Sequence, residues 1–297
     1  MIPQTTETTP KEVVSAALFV EPELIKRIIA AELPKNLQDA ALYAVSGGGK
    51  RVRPALTLLC CEAVGGSWDE AMAAAVAVEY IHCFSLVHDD LPCIDDDNLR
   101  RGKATLHIHT NEAMAILAGD LLLPLAMQQI SNGTLEPTLE AQLCHTLSKA
   151  TVEMVRGQVY DTLGGLPEHL NDLEGLESIH RNKTGSLIHG ACKMGALCGN
   201  ATDDQLQAID TFGHCIGLMF QIVDDLIDLH SPAHHVGKAT GKDAAAGKTT
   251  YPGVLGVEKS KAAIEKLKKQ AKTALKTLGK AGKTLQTFNV WMACRTR

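Results

Sequence analysis

The chain has few aromatic residues: Trp, Tyr and Phe together make up only 4% of its 297 positions. Strands favour aromatic and β-branched side chains, so this scarcity, beside abundant Ala and Leu, argues against a β architecture. No segment alternates apolar and polar residues as a half-buried strand would, and no internal repeat recurs. There is also no excess of positive charge. The formal net charge is −5, which excludes an overall basic field for nucleic acid. Hydrophobic residues at 45% and charged residues at 21% are too balanced for a disordered chain. The nine cysteines are odd in number and include no C-x-x-C pair. Most, including Cys83, Cys192, Cys198 and Cys215, lie in apolar helical stretches, as reduced thiols of a cytoplasmic protein would. Residues 1–10 lack an apolar signal core and an Arg, so they are expected to be a flexible start and not a targeting peptide. The most apolar run, residues 71–87, contains Glu79 and His82 and ends in acids. That pattern predicts a buried core helix and no membrane span.

What is present is helical periodicity broken by Gly and Pro. Helices are expected over Lys11–Ala31, Asn36–Ala44, Pro54–Val64, Asp69–Asp90, Asn111–Ile130, Thr138–Leu163, Leu173–Cys198, Asp203–Leu229 and Glu258–Gly279. Asn98–His109 reads as an irregular basic connection, and His230–Pro252 as a Gly- and Lys-rich loop suited to a lid. No linker divides the chain, so one all-α domain over 1–297 is the economical reading.

Two acid clusters carry the chemistry. Asp89-Asp90-Leu91-Pro92-Cys93-Ile94-Asp95-Asp96-Asp97 follows a long apolar run, and Asp224-Asp225-Leu226-Ile227-Asp228 follows another. Carboxylates in such places are costly unless a cation or a donor meets them. Asp224 and Asp228, four apart, share a helix face with Gln221 one turn earlier. Asp89 and Asp95 are six apart, and the helix break at Pro92 would let them converge. A donor set made up mainly of carboxylates suits Mg²⁺ better than zinc. Cations for phosphate lie in three sets: Lys50, Arg51 and Arg53 after a triple Gly; Arg100 and Arg101; and Lys183, Lys238, Lys242 and Lys248. Residues 241–249 (GKDAAAGKT) nearly spell a nucleotide-binding P-loop, but the spacing is one residue too long and no strand precedes it. The pairs His107/His109 and His234/His235 read as surface histidines.

Taken together, GGGKRVRP at 47–54, HCFSLVHDDLPCIDDDNLRRG at 82–102, GQVYD at 157–161, KTGSL at 183–187, FQIVDDLID at 220–228 and GKTTYP at 247–252 resemble the trans-isoprenyl diphosphate synthases, most closely the bacterial type of farnesyl diphosphate synthase. The resemblance implies an all-α fold around a deep central cavity, a homodimer, and about three Mg²⁺ ions. By position it implies metal binding by Asp89 and Asp95 with Asp90 in support, and by Asp224 with Asp228 assisting. Arg100, Lys183 and Lys238 would hold an allylic diphosphate. Lys50, Arg53, His82 and Arg101 would hold isopentenyl diphosphate, and Thr184 and Gln221 would sit near the reacting carbons.

A helical turn of about 5.4 Å approximates one isoprene unit, so a bulky residue one turn before Asp89 would cap the growing chain. Phe84 and Ser85 occupy that region, and the resemblance, through its pattern of an aromatic here and the longer spacing in the first motif, implies a fifteen-carbon farnesyl product, with geranyl or geranylgeranyl diphosphate as alternatives. A class I terpene cyclase is disfavoured because the second motif keeps its three Asp. A non-catalytic regulatory subunit is disfavoured because neither motif is lost. Beyond Lys259 the chain departs from the pattern. Residues 284–297 form an atypical tail; the family's usual ending is basic and helps close the isopentenyl site, and Arg295 and Arg297 are the residues here that could take that part.

Overall fold

The computed structural model describes residues 9–230 and 249–295. The described chain is helical almost throughout: α1 Lys11–Ile29, α2 Lys35–Val45, α3 Val52–Val64, α4 Trp68–Asp89, α5 Leu106–His109, α6 Glu112–Ile130, α7 Pro137–Thr162, α8 Asp172–His180, α9 Ser186–Cys198, α10 Asp203–His230, α11 Tyr251–Leu255, α12 Val257–Ala274 and α13 Lys283–Cys294. The only strands among the described residues are two-residue antiparallel pieces, β1 Leu99–Arg100 and β2 Lys103–Ala104.

Local chemistry sets the boundaries. Gly65, at φ 111°, ends α3, and a reciprocal capping box between Ser67 and Glu70 opens α4. Helix α4 is buried on nearly all sides, as its uniform apolar sequence requires. Its Tyr80 hydroxyl donates to the Leu24 carbonyl at 2.7 Å, so even the polar tip of this buried ring is satisfied. Leu56 and Leu59 of α3, Ile188 and Met194 of α9, and Ile216 and Met219 of α10 join α4 in one core. Cys60, Cys61, Cys83, Cys192, Cys198 and Cys215 are buried free thiols, as expected. Helices α4, α6 and α10 are long and apolar enough to cross a membrane by length and composition alone, but α4 and α10 bury most of their apolar stretch against helices of this chain.

Three expected elements differ. The helix expected over Leu173–Cys198 is interrupted by a π-helical turn, Arg181–Gly185, which separates α8 from α9. The connection over 98–109 forms the β1–β2 hairpin and α5. There His107 is buried with its Nδ1 3.2 Å from Thr105 Oγ1, and the His109 ring stacks on Tyr43. The tail is a packed helix, α13, burying Phe288, Trp291 and Met292. Of the loop expected over His230–Pro252, residues 231–248 lie outside the described residues, with His234, His235, Lys238, Lys242 and Lys248.

Candidate active site

The first acid cluster folds back on itself. After α4 ends at Asp89, the Asp95 N–H donates to the Asp89 carbonyl at 2.9 Å and the Asp96 N–H to the Leu91 carbonyl at 3.1 Å. Pro92 cannot continue the helix, so the turn brings Asp95 round to the cavity that Asp89 faces. Asp224, from α10, lines the same cavity, whose volume is ≈ 660 Å³. Burial, reinforced by Asp95 and Asp90 and opposed by Lys183, raises the Asp89 carboxyl to about 6. Burial also raises Asp224, although Arg295 works against it. These acids are held in a setting that resists their ionisation, and their donor set is all oxygen. Both observations fit a hard divalent cation such as Mg²⁺.

The two acids expected to support or assist the metal site stand outside the cavity wall. Asp90 is only 3% exposed, and both its carboxylate oxygens accept from the Arg100 guanidinium, at 2.7 and 2.8 Å from Nε. It therefore anchors Arg100 and does not line the cavity. Asp228 is exposed, one turn beyond Asp224 and outside the cavity wall.

The basic residues divide between two adjoining chambers. Arg100 and Lys183 line the acid-bearing cavity. A second chamber of ≈ 410 Å³ is lined by Lys50, Arg53, His82, Arg101, Trp291 and Arg295 among others. Arg53, His82, Arg101 and Phe220 border both. Arg53 Nη1 lies 3.3 Å from His82 Nε2, and Arg53 Nε is buried with no hydrogen-bond partner among the described residues. Burial depresses Arg53, and burial plus the surrounding Arg groups depresses His82 well below its ordinary value. A chamber lined by several cations, with a buried Arg53 nitrogen turned to no acceptor among the described residues, is suited to an anion. Lys50 sits over the Trp291 ring at 5.6 Å. Arg51, in contrast, is buried and bound to Glu21, Glu79 and the Val45 carbonyl, so it braces the chamber wall. Arg51, Asp96 and Arg101 all have positive φ, so the motif segments carry backbone strain where the site is built.

The π-helical turn presents Lys183 and Thr184 to the cavity together. Lys183 Nζ donates to Asp161 at 2.6 Å, and the Thr184 hydroxyl donates to Gln221 Oε1 at 2.8 Å. Gly157 makes room for this turn: a Cβ there would lie 2.0 Å from the Lys183 backbone nitrogen. Phe84 and Ser85 line the cavity, as expected. Phe84 meets His88 edge-on at 5.0 Å, and His88 Nε2 lies 3.1 Å from the Ile116 carbonyl of α6.

Sequence reasoning gave no role to Asp161, Asp225 and Tyr251, and did not pair Arg295 with an acid, yet all four shape the site. Asp161 holds Lys183. Asp225 turns to His180 Nε2 at 3.2 Å and accepts from the Tyr251 N–H at 2.8 Å, while the Tyr251 hydroxyl donates to Glu177 at 2.6 Å. This network anchors α10 beside Asp224. Arg295 donates to Asp224 Oδ1 at 2.6 Å and to the Phe220 carbonyl at 3.0 Å, over the face of Phe220. The quoted segments GQVYD and GKTTYP already contained Asp161 and Tyr251, but no local spacing revealed their distant partners. Arg297 lies outside the described residues.

This arrangement can be compared with known proteins. Geranylgeranyl pyrophosphate synthase 11, chloroplastic, of Arabidopsis thaliana is 44% identical over 266 residues, covering 88% of this chain and 72% of that protein. Geranylgeranyl pyrophosphate synthase, chloroplastic, of Capsicum annuum is 43% identical over 267 residues, covering 89% and 72%. Among solved structures, an FPP/GFPP synthase from Zymomonas mobilis aligns with a TM-score of 0.83 at 31% identity, covering 95% of this chain and 98% of that one. The family described as Polyprenyl synthetase matches residues 34–287 and ends within the first residues of the atypical tail. With its paired acid clusters across one cavity and a cationic chamber beside them, the chain belongs to the polyprenyl synthetase family.

Proposed function

We propose that this chain joins isopentenyl diphosphate to an allylic diphosphate, and that its product is geranylgeranyl diphosphate. The observation that carries the reading is the pair of adjoining chambers, one with acids and Lys183, the other lined by Lys50, Arg53, Arg101 and Arg295. Asp89, Asp95 and Asp224 would hold Mg²⁺, which when bound supplies the Lewis-acid charge that makes diphosphate a better leaving group. Lys183 and Arg100 bind the allylic diphosphate oxygens. Lys50, Arg53, Arg101 and the neutral His82 bind the second diphosphate. Lys238 is proposed for the allylic side on resemblance alone.

In the reaction the allylic C–O bond breaks, the isopentenyl double bond forms a new C–C bond, and a proton leaves to the departing diphosphate. No protein base is needed for that proton. The paired Thr184 and Gln221 present an oriented dipole near the reacting carbons. Phe84, Met154 and Phe220 supply an apolar wall that keeps water from the cationic carbon.

The names of the plant relatives support a twenty-carbon product. A second reading, farnesyl diphosphate, is favoured by one observation, the Phe84 ring on the cavity wall one turn before Asp89. Incubation with Mg²⁺, isopentenyl diphosphate and dimethylallyl, geranyl or farnesyl diphosphate, followed by mass analysis, tests both. Elongation of farnesyl diphosphate supports the first reading, and accumulation of farnesyl diphosphate supports the second. The absence of any condensation would overturn both and favour a regulatory subunit. A homodimer is also proposed. The exposed Ile116 and Leu117 of α6 and Val152 of α7 offer apolar surface for a second copy, and sedimentation would report the mass.

A further inference from the structure

Helices α9 and α10 approach closely at Gly213, where a Cβ would lie 3.1 Å from His189 Cδ2 and 3.2 Å from its Cα. That contact fixes His189 of α9 against one face of α10. Asp210 and His214, four residues apart, stand on that face. His189 Nε2 is 2.7 Å from Asp210 Oδ1, and His214 Nε2 is 3.7 Å from Asp210 Oδ2. The two imidazoles lie face to face with centroids 3.8 Å apart. One ligand atom from each residue falls within 4.8 Å of the others. None of the three lines either substrate chamber.

We propose that His189, Asp210 and His214 form a separate binding site for a divalent transition-metal ion, suited to Zn²⁺, that fastens α9 to α10. The donor chemistry selects the ion: two imidazoles and one carboxylate match zinc and its neighbours, whereas Mg²⁺ and Ca²⁺ prefer oxygen alone. Lys193 lies within electrostatic reach of Asp210, and Arg181 and Lys149 of His214. Their positive charge disfavours an ion held by attraction alone, so coordination by nitrogen must supply the affinity. The side chain of His214 is 55% exposed and can turn so that its lone pair meets that of His189. The ion takes the place of the proton that now bridges His189 and Asp210, at about 2.0–2.2 Å from each donor atom. Three protein ligands leave one tetrahedral position open to water.

The test uses the full chain, stripped with a chelator and kept in excess Mg²⁺ so that the oxygen sites are filled. Titration with Co²⁺ should produce the visible absorption bands of a tetrahedral nitrogen–oxygen site, and Zn²⁺ should displace them at one equivalent. His214→Gln and His189→Gln should each weaken Zn²⁺ binding at least ~10-fold, and should remove the rise in melting temperature that Zn²⁺ gives the parent. His214→Gln alters an exposed side chain, and its metal-free melting curve verifies folding. If the parent shows no such bands, or if both variants bind Zn²⁺ as tightly as the parent, the proposal is wrong.

Discussion

Asp89 links charge, metal and pH in a single side chain. Its carboxyl is raised to about 6, against an unfolded value near 4. The metal-free folded state therefore holds this proton more tightly than the unfolded chain does. Stability contributed by Asp89 is greatest at low pH and declines as pH rises between about 4 and 6. A bound cation reverses the preference by favouring the carboxylate, so Mg²⁺ should stabilise the protein strongly at pH 8 and weakly at pH 5. Thermal melting with and without Mg²⁺ at the two values tests this. Asp89→Ala and Asp224→Ala should each lower kcat by ~100-fold or more while leaving the far-UV spectrum unchanged. Phe84→Ala should shift the product to longer chains, as read by mass. An unchanged distribution would remove Phe84 as the chain-length stop.

The π-helical turn shows what packing adds to helix pattern. Residues 173–198 read as one continuous helix because their apolar periodicity persists across the interruption. The wide turn is set instead by contact with α7, where the bare Gly157 backbone meets Lys183. Gly157→Ala should therefore force the two helices apart, costing ~1–3 kcal/mol by denaturant unfolding and most of the activity. The fold class and the convergence of Asp89 with Asp95 were legible, since a Pro inside an acid run after an apolar helix has few other readings. The pairing of Lys183 with Asp161, 22 positions away, and of Arg295 with Asp224, 71 positions away, left no trace in local spacing. Asp90 was read as supporting the metal site because neighbouring acids look alike in a sequence, and only its fit to the Arg100 fork separates it from Asp89.

Across the whole molecule, the last described residue reaches back to the centre of the site. Helix α13 packs through Phe288 and Trp291 and places the Arg295 guanidinium on Asp224. From Phe288 onward this segment lies beyond the 34–287 match to the family, which is why resemblance alone said little about it. Arg295 neutralises part of the charge that a cation would otherwise neutralise, and it also borders the second chamber. Arg295→Gln should therefore lower the Mg²⁺ concentration needed for half-maximal rate and raise KM for isopentenyl diphosphate. Steady-state kinetics over both ligands would separate the two effects, and an unchanged Mg²⁺ response would show that Arg295 does not compete for Asp224.

The wide turn between α8 and α9 is one residue longer than an ordinary helical turn, and it uses that residue without changing which side of α9 faces inward. Excising one residue from Arg181–Gly185 and restoring ordinary winding would leave Ile188, Cys192 and Met194 pointing to the interior. The loss would fall on the bulge itself, which turns Lys183 and Thr184 toward the cavity together and fits against Gly157. The extra residue in these five positions thus serves the chemistry and not the packing of the interior.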